Sequence, residues 1–109
     1  MADAAAARQS RAADPVEADA KRYTVEFENE KVRVLRIKYG PHERSPMHGH
    51  PPLVGIFLTP HRSRHTFADG SVAEMTGNAG DVRYMDRCEH APENLSGSPM
   101  ELIAVEIKT

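Results

Sequence analysis

The sequence has no tryptophan and one cysteine, Cys88, in 109 residues. A single cysteine excludes a disulfide within the chain and suits a reducing compartment, so a cytoplasmic protein is expected. No apolar run approaches the roughly 18 residues of a membrane span. The start, Met1-Ala2-Asp3-Ala4, lacks a basic stretch followed by an apolar core, so no secretory signal is expected. Neither sign of charge dominates: 14 Lys and Arg stand against 16 Asp and Glu, a net charge of −2. That balance gives no footprint for nucleic acid or an anionic membrane surface, and neither is expected as a partner. A Gly-x-Ser-x-Gly elbow, a Gly-rich phosphate loop and a Cys-x-x-Cys pair are also missing, which removes the catalytic plans built on them.

The hydrophobic residues concentrate between Tyr23 and Ile107. The first twenty positions are mostly Ala, Arg, Asp and Gln and carry no apolar stripe. Residues 1–20 therefore read as a flexible tail, and 21–109 as the folded domain. Within the tail, Asp14 as N-cap and Pro15 as first helical residue predict a short helix ending at Asp19 or Ala20. From Tyr23 onward the apolar period is two. Tyr23, Val25 and Phe27 alternate with polar residues. Val32–Tyr39 forms a second run that changes face between Val34 and Leu35, which predicts a bulge or burial on both sides. Leu53–Leu58 is a short continuous apolar run. Asp69-Gly70 predicts a hairpin turn between His65–Ala68 and Ser71–Met75, and Asn78-Ala79-Gly80 a further turn. Strands over Val82–Met85, Cys88–Pro92 and Met100–Ile107 complete about eight, spaced roughly ten residues apart. The fold class is all-β, an antiparallel sandwich or barrel. So many short strands in so short a chain bury a limited core, and a homodimer through a sheet face or edge is expected.

The chemistry concentrates in Pro46-Met47-His48-Gly49-His50-Pro51-Pro52. On an extended segment residues i and i+2 share a side, so His48 and His50 present two imidazoles to one point, with Gly49 leaving space between them. Forty residues on, His90 and Asn94 follow the Gly80-Asp81 turn. This order of Gly40, His48, His50, Gly80, Asp81, His90 and Asn94 resembles the two motifs of the cupin superfamily, over roughly Tyr23 to Lys108. The phrases Phe27–Val34 and His90–Asn94 are similar to very small bacterial cupins, some of which carry the name "beta-alanine degradation" protein. The resemblance implies a single-domain, RmlC-like jelly-roll barrel with a metal at its centre, held by His48, His50 and His90. Many cupins add a glutamate three or four residues after the His-x-His pair. Val54 and Gly55 stand there in this chain, so the implied site has three histidines and open positions, as a catalytic metal requires. It resembles in this the cupin thiol and diketone dioxygenases. Three imidazoles accept Fe, Zn, Ni or Mn alike, so the divalent ion is not named by the sequence.

Two functions follow as expectations. One is a metal-dependent oxygenase acting on a small organic acid, thiol or diketone; the other is a non-catalytic module that binds or senses a small molecule. Further pocket candidates are Cys88, on the side of its strand shared with His90; Tyr84, after the Gly-Asp turn; Asn94; and Arg62 or Arg64. The two arginines alternate with His61 and His65, so one pair faces inward, and inward arginines favour an anionic ligand. Because histidine binds metal only when neutral, occupancy is expected to fall below about pH 6.

Overall fold

The computed structural model describes residues 13–108. Among the described residues the helix α1 (Pro15–Ala18) is a single turn capped by the Asp14 carboxylate, which accepts from the Val16 amide at 3.1 Å. Nine strands follow: β1 Tyr23–Glu28, β2 Val32–Tyr39, β3 His48–His50, β4 Leu53–Phe57, β5 His61–Phe67, β6 Val72–Gly77, β7 Val82–Met85, β8 Cys88–Asn94 and β9 Met100–Ile107. They form two antiparallel sheets, β1-β2-β9-β4-β7 and β3-β8-β5-β6, packed face to face. This is the antiparallel all-β architecture expected from the period-two pattern, and the jelly roll that the resemblance implies.

The core lies between the sheets, with Tyr23, Leu35, Ile37, Tyr39, Leu53, Met100 and Ala104 as its buried cluster. Each large side chain so buried contributes roughly 1.5–3 kcal/mol relative to exposure. The turns behave as their residues dictate: Gly70 and Gly80 adopt φ of +89° and +90°, where a Cβ would be strained.

Three features differ from the sequence reading. The irregularity near Val34 sits on β1, where the register slips between Val25 and Phe27, while β2 pairs with β9 without a break. The period of β2 holds because Arg33 takes the inward position next to Leu35, leaving Val34 outside. Strand β5 begins at His61 rather than His65, and β8 runs on to Asn94. Residues 13–20, placed with the tail by composition, pack on the barrel: the Gly49 amide donates to the Ala13 carbonyl at 2.9 Å, and Pro15 and Asp19 are buried. Residues 1–12 lie outside the described residues.

Candidate metal centre

Strand pairing assembles the site. Strand β3 carries His48 and His50 on one face, and β8 sets His90 directly opposite His48. Prolines 46, 51 and 52 confine β3 to three residues, all buried. The ring centroids stand 4.9 Å apart for His48–His50 and His48–His90, and 5.2 Å for His50–His90. One nitrogen from each ring lies within 4.8 Å of the others, the one such group of His, Cys, Asp and Glu among the described residues.

The outer nitrogens decide which atoms face the centre. The Nδ1 of His48 donates to the Pro46 carbonyl at 2.9 Å and lies 3.3 Å from Ser45 Oγ. A carbonyl only accepts, so His48 carries its proton on Nδ1 and its lone pair on Nε2. His50 Nδ1 donates to the Glu106 carboxylate at 2.7 Å, with the same consequence. His90 Nδ1 meets His65 Nδ1 at 3.0 Å, and His65 Nε2 meets Ser63 Oγ at 3.1 Å. With His90 donating from Nδ1, His65 accepts and passes its own Nε2 proton to Ser63, so His90 Nε2 is also a lone pair. The Nε2 atoms of His48 and His90 are buried with no hydrogen-bond partner. A buried acceptor without a donor is costly; a cation that takes the lone pairs removes that cost. The donor set therefore fits a divalent metal, and each ligand's outer nitrogen is oriented as metal-bound histidines require.

The electrostatics agree. Burial, then the neighbouring His50, pushes the His48 pKa down to about 4. The same two causes, with His61, bring His65 to about 4, and burial with the surrounding histidines holds His90 well below the usual range. These rings are neutral at pH 7, the state that binds metal. Burial opposes charge on Glu106, but the His50 hydrogen bond and Arg33 outweigh it and keep the carboxyl below its ordinary value. Arg33 Nε lies 2.9 Å from Glu106 and its terminal nitrogen 2.7 Å from Asp14, so the buried carboxylate has a buried cation.

Glu106 escaped the sequence reading. Its signal was present: a charged residue at the inward parity of a closing apolar strand, in line with Leu102 and Ala104. It replaces nothing at Val54 or Gly55, because it holds the outer nitrogen of His50 and lies outside the donor set.

The other candidates fall elsewhere. Arg62 and Arg64 point away from the interior, since His61, Ser63 and His65 take the buried alternate positions of β5. Arg64 instead pairs with Glu74 and Glu93 on the surface. Tyr84 is 60% exposed because it pairs with outward Val54, while its neighbour Met85 pairs with inward Leu53. Asn94 is fully buried but serves the loops: its amide donates to the carbonyls of Gly40 and Ser98, at 3.0 and 2.8 Å, and accepts from the Ser96 amide. Cys88 stands opposite His50 at the end of the β3–β8 ladder, yet its sulfur is not in the donor set. Burial, then Glu89, raises its thiol to about 11, so it is protonated rather than a thiolate at neutral pH. His61 stacks flat on Phe57 with centroids 3.6 Å apart, away from the three ligands.

No family profile and no curated protein matches the chain. Solved structures do. A cupin domain from Bordetella pertussis superposes with a TM-score of 0.73 at 22% identity, covering 80% of this chain and 92% of that one. A conserved protein with a double-stranded β-helix domain from Klebsiella pneumoniae gives 0.64 at 18% identity, covering 92% and 91%. An RmlC-like cupin from Methanocaldococcus jannaschii gives 0.61 at 20% identity, covering 83% and 84%. At these identities the likeness shows the fold alone: a two-sheet antiparallel jelly roll of the kind these cupin domains have.

Proposed function

We propose that the chain is a metal-binding cupin that acts as an oxygenase on a small organic molecule, of the thiol, diketone or organic-acid kind. The observation that carries the reading is the convergence of three buried imidazoles, each held through its outer nitrogen, with two orphaned Nε2 atoms. His48, His50 and His90 would hold the ion. When bound, a divalent metal with open positions supplies Lewis acidity and, as iron, access to dioxygen chemistry. The chain's own part is to position and to exclude water. Pro46, Glu106 and His65 lock the three ring orientations, and the apolar walls between the sheets keep solvent from the reacting atoms. The small bacterial cupins of the "beta-alanine degradation" name, similar over Phe27–Val34 and His90–Asn94, are the kin we assign it, and the lone Cys88 supports a cytoplasmic setting.

Elemental analysis of the purified protein tests this reading. About one divalent ion per chain is expected, lost in His48→Ala and His90→Ala while the β-sheet circular dichroism persists. Iron-loaded protein is then expected to consume oxygen with at least one member of a panel of small thiols, diketones and acids. Protein that cannot be loaded with any divalent ion overturns the metal reading. A second reading, a non-catalytic binding module, is favoured by the paired state of the interior hydroxyls, since Tyr23 and Tyr39 hydrogen-bond each other at 2.5 Å and offer no free acid or base. Metal uptake without oxygen consumption on the whole panel selects it.

We also propose a second copy of this chain as partner. The register sets Phe27, Val34, Val105, Val54 and Tyr84 in one row across the outer face of the five-stranded sheet, with Ile103, Ile56 and Val82 in the next. Strands about 4.8 Å apart make this apolar face on the order of 500 Å². A patch of about this size is in the range of the largest on a monomer and is often functional, and the flanking Glu26–Arg36–Glu101 ion pairs give it the polar rim of an interface.

A further inference from the structure

Between the sheets lies a cavity of about 50 Å³, bounded on one side by His50, His65 and His90. Its remaining wall is apolar, with Leu53, Phe57, Met75, Met85, Met100 and Leu102 facing it. The polar atoms that reach the wall are already engaged. Tyr23 and Tyr39 bond each other, and Ser63 takes His65. No lysine or arginine lines the cavity. Inward Arg33 is held by Glu106 and Asp14, and Arg62 and Arg64 face outward. A carboxylate lodged in such a wall would lose its hydration and meet no cation, whereas an apolar group loses nothing by leaving water. A space of this size, at 10–15 Å³ for each water-sized position, admits about four non-hydrogen atoms.

We infer that the cavity receives the uncharged, apolar tail of a small ligand, about four heavy atoms long, whose one donor atom is turned toward His50 and His90, the two members of the candidate metal set that line it. This rests on the metal reading above for the role of the donor atom and sharpens the substrate class: a short neutral thiol or enol fits, and a molecule with a free carboxylate on its tail does not. The methionines make the wall adaptable, because three rotatable bonds let each side chain fit a tail of somewhat different shape.

The matched pair 2-methyl-1-propanethiol and mercaptoacetate separates the cases, since both set four heavy atoms of similar shape behind one sulfur and only the second carries a charge there. In metal-free protein the ε-methyl NMR signals of Met75, Met85 and Met100 are expected to shift with the neutral thiol, and at least tenfold more weakly with mercaptoacetate. Equal or tighter binding of mercaptoacetate, or no methyl shift with saturating neutral thiol, overturns the inference. In cobalt(II)-loaded protein a thiolate-to-cobalt absorption band is expected to rise with the same neutral thiol, and a band that never appears overturns the placement of the donor atom. A protein that takes up no cobalt sinks the metal reading, while the methyl shifts in metal-free protein still decide the character of the cavity.

Discussion

Acid should unfold the metal-free protein steeply, and the reason lies in the buried histidines. His48 and His65 are neutral and buried, each with its pKa lowered to about 4 by burial and by His50. In the unfolded chain both titrate near 6.5. Between those values the unfolded state binds more protons than the folded state, so stability falls as pH drops, by about 1.4 kcal/mol per pH unit for each group. From pH 6.5 down to 4 each histidine removes on the order of 3 kcal/mol, and His90 and, lower still, Glu106 add in the same direction. The sum approaches the whole 5–15 kcal/mol of a typical domain. Urea melts of metal-free protein are therefore expected to keep a constant midpoint above about pH 7 and to lose it quickly from 6.5 toward 4. His65→Gln, which removes one of the titrating groups, is expected to flatten the slope by about one proton. A midpoint unchanged between pH 7 and 5 would refute the argument. With metal bound, occupancy is expected to persist well below the pH 6 that free histidine implies, because His48 and His90 compete poorly for protons.

Glu106→Gln is expected to weaken metal binding 10- to 100-fold in a chelator competition, since the amide no longer holds His50 as a carboxylate does, and to cost several kcal/mol by leaving Arg33 with Asp14 alone; unchanged affinity would show that His50 is oriented by other contacts. Gly77→Ala is expected to destabilise by about 1–3 kcal/mol in thermal melts, because the added Cβ collides with the Asp81 carboxylate and lies 2.6 Å from the His61 ring; an unaltered melting temperature argues that both neighbours move freely. Val105→Glu places a charge in the middle of the outer apolar row and is expected to give a monomer by light scattering with the metal content preserved, while a dimer that survives it uses a different surface.

The sequence made the three-histidine cluster legible because its members follow from short motifs. A His-x-His pair on extended chain needs only the parity of a strand, and a third histidine behind a Gly-Asp turn completes the order. The parity of β5 was the harder question, since histidines and arginines alternate there with no apolar residue to mark the inside. The structure answers it energetically: a neutral imidazole is cheaper to bury than a guanidinium, so His61 and His65 went in, Arg62 stayed exposed and Arg64 stayed with Glu74 and Glu93. The same rule misleads at Arg33 and Glu106. Each alone would be read as a surface residue, and each is buried because the other, 73 positions away, neutralises it. That long-range pair also explains why Val34, not Arg33, faces outward, and so why β2 needs no bulge. The His48–His50 pair is written in neighbouring residues, whereas the carboxylate that holds His50 in place depends on a pairing between β2 and β9 that no local window contains. It follows that Arg33 is the remote support of His50: its loss would free Glu106 to protonate, and the first ligand to lose its orientation would be the one that the carboxylate grips.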